Sequence, residues 1–318
     1  MLKMNIKKKT VLIVGTGMLG AYLSKHLITK NYNIVVTTRK LKFFYTNYLK
    51  LKISKKIKFI KLNVQNKKEI NKTIKLVNPA YIYYFAGISS ITKSFNAKKD
   101  TYLSNYIGAK NFLKILKKEK SKIKFFKANS AYIFKSTKSG ITTKSKLAKP
   151  RSPYADSQIK AYKIIRKYRN LGVSCYNIIF FNIESPIKNN NFFIKKICLA
   201  AKKSKINKIK VGNLNSIRDY GWAPDIIEGV YLMSKINPCD LILGTGKGMS
   251  VRQILKLIFG YRNLNYINFV RNDKNLIRKY ESNYIVSNMS ESIKKLKKWK
   301  WRPKIFGNKL IYKMYKNI

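Results

Sequence analysis

The sequence predicts an α/β chain built on a doubly wound parallel sheet, with a smaller C-terminal lobe. Three observations carry that prediction. An apolar run at residues 11–14 leads into Gly15, Gly17 and Gly20, and then into an amphipathic segment with Leu19, Leu23 and Leu27 at helical spacing. Short apolar strands then alternate with helical patterns as far as residue 128. The chain has 318 residues and 45% hydrophobic content, enough to bury the cores of two lobes.

Residues 10–27 read as a buried strand, a tight glycine turn and a helix whose N-terminus points at the turn. Unbonded N–H groups and the helix dipole make such an end an anion site. The glycines let backbone approach a pyrophosphate without Cβ clashes. Gly15, Thr16, Gly17, Met18, Leu19 and Gly20 therefore form a candidate dinucleotide cradle, a Rossmann fingerprint in its strand–turn–helix context. Residues 33–37 are the second strand, and Arg39 follows it. An acidic residue there would bond the ribose 2′-OH of NAD, whereas arginine suits the 2′-phosphate of NADP, so NADP is the expected cofactor.

Further strands are predicted at 57–62, 81–85 and 124–128, with helices near 67–77 and 100–118. Asn63 and Val64 fall at a strand end where the adenine would lie. Phe85 ends the fourth strand, and Ala86, Gly87 and Ser89 follow it, where small residues permit approach to the ribose and nicotinamide. Beyond residue 181 the regularity fades, and Pro186, the polar run 188–191 and Gly212-Asn213 mark loops of the second lobe. The expected domains are 1–180, binding the dinucleotide, and 181–318, mainly substrate-binding, with a segment near 211–245 returning to the first.

A formal net charge of +57 arises from 69 Lys and Arg against 12 Asp and Glu. Clustered, that charge would indicate a nucleic-acid or membrane binder. Lysine is instead spread over every segment beside abundant Asn and Ile, the pattern expected of drift in base composition. Neither a specific nucleic acid nor a membrane is an expected partner. Residues 3–9 followed by an apolar run imitate a secretory leader, but glycines interrupt the run where a nucleotide turn needs them. No apolar segment reaches the roughly 20 residues of a membrane span. Cys175, Cys198 and Cys239 lack metal spacing and suit a reducing compartment. A cytoplasmic chain without a metal is expected. The one histidine, His26, lies in the first helix as a partly exposed residue, which removes histidine-based triads.

Ser130 closes the fifth strand, and Pro150-Arg151-Ser152-Pro153-Tyr154 opens a helix, its prolines fixing the entry. A serine and a tyrosine meeting over a nicotinamide resemble the short-chain dehydrogenase/reductase arrangement. Further stretches make the likeness specific. They include Tyr84-Phe85-Ala86-Gly87-Ile88-Ser89-Ser90, Phe181-Asn182-Ile183-Glu184-Ser185-Pro186, Gly212-Asn213-Leu214, Arg218-Asp219-Tyr220, Gly244-Thr245-Gly246, and Arg278 with Glu281. With them the chain resembles the GDP-mannose 4,6-dehydratases, extended members of the NAD-dependent epimerase/dehydratase group.

The resemblance implies that NADP takes a hydride from C4 of GDP-mannose and later returns it to C6. Between those steps a base removes the C5 proton and water leaves from C6, giving GDP-4-keto-6-deoxymannose. It implies Tyr154 as the C4 hydroxyl base, Ser130 as its hydrogen-bonding partner, and Asn182, Lys196, Arg218 and Arg278 as nucleotide-sugar ligands. Arginine suits that place because its planar fork pairs with diphosphate oxygens. A homo-oligomer, dimer or tetramer, is also implied, with the basic segment 38–52 where the family's cofactor loop can reach a neighbour.

The chain departs from the family pattern at several positions. Gln158 stands where the family has a lysine, one helical turn after Tyr154. That lysine holds the cofactor ribose and lowers the tyrosine pKa from about 10. Glutamine keeps a ribose hydrogen bond but carries no charge, and a lost shift of about two units is roughly 2.7 kcal/mol of preference for tyrosinate. Lys160 faces elsewhere on the helix. Tyr132 stands where the family places the glutamate base for C5, and a neutral phenol is a weak acceptor. Ile183 replaces a cofactor-contacting histidine, Lys188 replaces an arginine, and the first glycine spacing is shorter than the family's. The candidate catalytic set is thus Ser130, Tyr132, Tyr154 and Gln158, with Ile183 and Lys188 beside the cofactor. Three readings follow: a working dehydratase with compensating groups such as Asp156 or a shifted lysine; a nucleotide-sugar-binding relative with impaired catalysis; or a nucleotide-sugar reductase or epimerase, which needs no C5 base.

Overall fold

The protein is seen as a computed structural model that describes residues 8–41, 46–277 and 282–318. Its chain forms two compact units. Of the described residues, the first contains those up to 133, with 149–179 and 230–241; the second contains 134–148, 180–229 and those from 242 onward.

In the first unit the strands are β1 (Thr10–Val14), β2 (Asn33–Thr38), β3 (Lys58–Lys61), β4 (Tyr81–Tyr84), β5 (Lys124–Ser130) and β6 (Cys175–Phe180). They form one sheet in the order β6-β5-β4-β1-β2-β3, with Asp240–Leu243 added beside β6. The pairs β3·β2, β2·β1, β1·β4 and β4·β5 are parallel. Helical crossovers between successive strands allow that direction. The strands β1 and β4 are apolar almost throughout because helices cover both faces. This is the doubly wound sheet that the alternation of strands and helices predicts.

Local signals set the helix ends. Asn66 caps the helix Lys67–Val77 by accepting from the N–H groups of Lys68 and Glu69, and Asn78 leaves it in the left-handed region at φ 41°. Ser152 caps the helix Pro153–Asn170, accepting from the Ala155 N–H at 3.1 Å, with Pro153 in the first turn. The helix expected at 100–118 is different. It starts at Lys98 and is broken by a π-helical turn, Leu103–Ile107, before continuing as Gly108–Lys118. The break has a tertiary cause: the Tyr84 hydroxyl reaches in from β4 and donates to the Ser104 carbonyl at 2.5 Å.

The second unit is organised on the strand Ile217–Trp222. It pairs in parallel with Asn182–Glu184 and Tyr284–Ile285, and antiparallel with Gly248–Ser250. Ile194, Ile197, Trp222, Ile254, Ile258, Leu310 and Met314 meet in its core. The expected return near 211–245 is narrower in the structure: Ile217–Trp222 stays in the second unit, and Val230–Leu241 joins the first. Residues 134–148, expected in the first domain, belong to the second. Ile141 bridges to Ser287, and Ser136 donates to the Tyr284 carbonyl. Among the described residues no helix is long and apolar enough to cross a membrane. His26 is half-buried and packs its ring against Tyr231 at 5.0 Å between centroids.

The C-terminal stretch is clasped by Asp225. Its carboxylate accepts the N–H groups of Lys304 and Ile305, each at 2.7 Å, and its carbonyl accepts from Trp301 Nε1 at 3.0 Å. Asp225→Ala leaves two N–H groups without that acceptor and is expected to cost about 2–3 kcal/mol, read as a lower urea midpoint at unchanged m-value.

Candidate active site

The glycine corner is tight on one side and open on the other. Gly15 has φ +111°, and a Cβ there would lie 2.9 Å from the Ala86 nitrogen. A Cβ on Gly20 would lie 2.7 Å from the Gly15 carbonyl oxygen. Both positions therefore exclude any side chain. A Cβ on Gly17 would meet nothing within 4 Å, and Gly17 brings no side chain to cap the helix Met18–Thr29. Thr16, Met18 and Leu19 flank this open face, half-buried.

Around the corner, Arg39 is exposed just past β2, where the Thr38 hydroxyl closes a turn on the Lys40 N–H. Asn63 is exposed beyond β3, its N–H bonded to Glu69 Oε2 at 2.9 Å. Val64 is buried, and its carbonyl accepts from Asn111. Phe85 and Ala86 are half-buried and Ser89 is exposed. Gly87, at φ +150°, is pressed against the Asn105 amide. That amide accepts from the Ile88 N–H at 2.9 Å, and its nitrogen donates to the Ile88 carbonyl and the Ser157 hydroxyl, each at 3.1 Å. Ser157 donates in turn to the Tyr154 carbonyl at 2.8 Å. Asn105, in the π turn, thus fixes the loop after β4 to the helix that carries Tyr154. Sequence reasoning missed it, because no pattern in a lysine-rich helix marks one buried asparagine.

Ser130, Tyr132 and Tyr154 come together at the end of β5. The Ser130 hydroxyl accepts from the Tyr132 N–H at 3.3 Å and lies close enough to the Tyr154 phenol to favour its ionised form. Burial pushes the Tyr154 phenol up to about 12; the Ser130 hydroxyl works against that rise, and the Tyr132 phenol adds to it. Gln158 is buried one turn along the same helix. Its oxygen faces the ammonium of Lys127 at 3.4 Å, a β5 residue that sequence reasoning did not single out. Lys160 lies on the surface, paired with Asp156 at 2.7 Å, so both of those candidate compensating groups are occupied by each other.

The other sequence-predicted residues lie in the second unit. Asn182 donates to the Asp219 carbonyl at 3.2 Å. Arg218 is buried, with Nη1 donating to the carbonyls of Ile217 and Asn283. Asp219 is fully buried and accepts from the N–H groups of Thr245 and Gly246 and from the hydroxyls of Thr245 and Ser287. Burial raises its pKa while these bonds oppose the rise, which makes it a structural acid. Lys188 donates to the Ile183 carbonyl at 2.7 Å and pairs with the buried Glu184 at 2.5 Å. Ile183 is itself buried. Lys196 is exposed. Arg278 and Glu281 lie outside the described residues, as do residues 1–7 of the basic N-terminal run and 42–45 of the 38–52 segment. Among the described residues no group of three His, Cys, Asp or Glu could hold a metal ion.

Residues 12–314 match the family model described as GDP-mannose 4,6 dehydratase. The chain belongs to the GDP-mannose 4,6-dehydratase family. It is 29% identical to GDP-mannose 4,6 dehydratase 2 of Arabidopsis thaliana over 324 residues, covering 96% of this chain and 86% of the relative. It is 27% identical to GDP-mannose 4,6 dehydratase of Homo sapiens over 272 residues, covering 81% and 73%. The fold is similar to UDP-glucose 4-epimerase of Thermotoga maritima, solved with UDP-glucose: TM-score 0.83, 18% identity, 97% of this chain and 98% of the other. It is also similar to dTDP-glucose 4,6-dehydratase of Bacillus anthracis in complex with NAD: TM-score 0.83, 16% identity, 97% and 96%. The chain is thus GDP-mannose 4,6-dehydratase-like over nearly its whole length, with Gln158, Tyr132, Ile183 and Lys188 in the places described.

The Glu184–Lys188 pair gives a direct test of the second unit's electrostatics. Lys188→Met strands a buried carboxylate and is expected to cost about 3–5 kcal/mol at neutral pH. Burial already raises the Glu184 pKa, and loss of the ammonium raises it further. Between the unfolded and folded values the folded state binds more protons, so stability falls as pH rises through that window. The variant should therefore regain melting temperature on acidification toward pH 5, relative to wild type.

Proposed function

We propose that the chain converts GDP-mannose to GDP-4-keto-6-deoxymannose with bound NADP. The observation that carries this reading is a buried Ser130 and Tyr154 at the end of β5, in the same unit as a glycine corner with one open face. Family membership over residues 12–314 supports the substrate. The corner fits a dinucleotide: Gly15 and Gly20 hold the backbone close, and the open face at Gly17 leaves room for a pyrophosphate against the first helical turn. Gly15, Thr16, Gly17, Met18, Leu19 and Gly20 would hold that pyrophosphate, Arg39 the 2′-phosphate, Asn63 and Val64 the adenine side, and Phe85, Ala86, Gly87 and Ser89 the ribose side. Bound there, the nicotinamide would supply the hydride chemistry that the reaction needs at sugar C4 and C6.

The chain's own residues handle protons and orientation. Tyr154 takes the C4 hydroxyl proton as the carbonyl forms, and Ser130 orients the two oxygens. Tyr132 stands where the C5 proton must be moved, as hydroxide leaves C6 and is protonated to water. Gln158 bonds the ribose. Asn182, Lys196, Arg218 and Arg278 hold the nucleotide-sugar, the arginines by fork-shaped pairing with diphosphate oxygens. The same reading has the protein working in the cytoplasm as a homo-oligomer. A second reading, a nucleotide-sugar-binding relative with impaired turnover, is favoured by two particulars. Tyr132 is a poor base, and burial holds the Tyr154 phenol at about 12.

Incubation of purified protein with GDP-mannose and NADP separates the two: the 4-keto product by mass supports the dehydratase, and binding without product supports the relative. Consumption of NADPH with a 4-keto sugar in the absence of dehydration would instead indicate a reductase. Gly17→Ala adds a methyl to open space, so it should fold with little change in melting temperature yet lose at least about tenfold in NADPH affinity, about 1.4 kcal/mol. Arg39→Asp should shift preference from NADP toward NAD by about tenfold or more in paired titrations.

A further inference from the structure

Lys127 sits in the middle of β5 with 1% of its surface exposed. Its ammonium donates to the Ala128 carbonyl, faces Gln158 Oε1 at 3.4 Å and lies 5.6 Å from the centre of the Tyr84 ring. Among the described residues no carboxylate pairs with it. A cation in the interior without a counter-ion is costly, and an apolar side chain at this strand position would serve stability better. The burden points to a use. A lysine only donates, so the Gln158 amide must present its oxygen to Lys127 and turn its nitrogen, itself a donor, away. Gln158 lies one helical turn after Tyr154, on the same face.

We propose that Lys127 is a positioning residue for the Tyr154 site, reaching from β5 to supply through Gln158 the buried cation that the helix itself lacks. The inference rests on the reading of Tyr154 as the sugar hydroxyl base and of Gln158 as a ribose ligand. Lys127 orients the Gln158 amide so that its N–H groups meet the ribose, and its charge stabilises the phenolate when Tyr154 is ionised. The division of labour is then between two residues: glutamine keeps the hydrogen bond, and the strand lysine keeps the charge. Lys160, tied to Asp156 on the surface, does not compete for this role. Burial brings Lys127 down to about 7, so its charge is itself sensitive near neutrality, and a forming phenolate favours the protonated state. The ionisable group facing it from β4 is Tyr84, which burial keeps neutral; from the helix it meets the uncharged Gln158.

Lys127→Met tests the proposal. The variant should fold with a melting temperature equal to or above wild type at pH 6–7. The folded-state value of Lys127 lies below its unfolded value, so wild type gains stability as pH rises between them, and the variant lacks that rise. NADPH affinity, read by nucleotide fluorescence, should fall by about fivefold or more, because the amide loses its fixed orientation. Formation of the 4-keto product at pH 7 should fall by about tenfold or more and recover toward alkaline pH, while KM for GDP-mannose changes little. Exchanging the pair, Lys127→Gln with Gln158→Lys, should return both affinity and the neutral-pH rate.

A folded Lys127→Met protein with wild-type NADPH affinity and an unshifted pH profile overturns the proposal. So does a folded exchange variant that restores neither readout. If wild type makes no 4-keto product, the dehydratase reading fails, and the NADPH titrations alone then decide the role of Lys127. If the exchange variant does not fold, the single variant's affinity and melting-temperature profile decide it.

Discussion

The close approach of Gly15 to the backbone at Ala86 is the constraint on which the first unit depends. Two adjacent parallel strands, β1 and β4, end at the same level, and their following loops touch where any side chain would collide. That contact turns the chain sharply enough for the helix Met18–Thr29 to start beside the strand ends. It also leaves Gly17 facing open space. The open corner is therefore a consequence of strand packing, and the candidate residues grouped at the ends of β4 and β5 are placed by the same sheet.

The second unit depends on acids rather than on a glycine corner. Asp219 takes five donors from two loops, and Asp225 takes two backbone N–H groups from the C-terminal stretch. In a chain with only 12 acidic residues, several of them are spent deep in the structure as acceptors for backbone and hydroxyl groups. Their work is to hold loops, and the Arg218-Asp219 pair splits its labour: the arginine bonds the Ile217 and Asn283 carbonyls, and the aspartate organises the turn at Thr245. Neither role is visible from a motif that simply joins two opposite charges.

Most of the first unit was legible because buried parallel strands are written as apolar runs and their helices are punctuated by Asn, Ser, Pro and Gly. The helix Lys67–Val77, bracketed by Asn66 and Asn78, is a case where both ends follow from local chemistry. The π turn at Leu103–Ile107 was not legible, since it comes from a tyrosine hydroxyl arriving from another strand. Residues 134–148 were assigned to the wrong unit because a single bridge and a few side-chain bonds, rather than a periodic pattern, hold them. In the site, Ser130, Tyr132 and Tyr154 could be named in advance because they sit at a strand end and a helix start. Lys127 could not. One more lysine in a lysine-rich chain carries no signal until its depth is known.

Depth separates the lysines of this protein into kinds. Most are solvated and interchangeable, as spread-out charge should be. Lys188 and Lys195 go inside, but each meets carbonyl oxygens at a loop, and Lys188 also has Glu184. Lys127 goes inside a strand, against the Ala128 carbonyl, an amide and an aromatic ring, with no acid among the described residues to neutralise it. Compositional drift explains why lysine is common on the surface. It does not explain an ammonium held at the centre of a sheet, where each solvation loss must be offset locally. On the proposal made above, a group that opposes stability while touching the residue one turn from Tyr154 belongs to the site's electrostatics, and the cation that Gln158 does not supply is relocated to the strand.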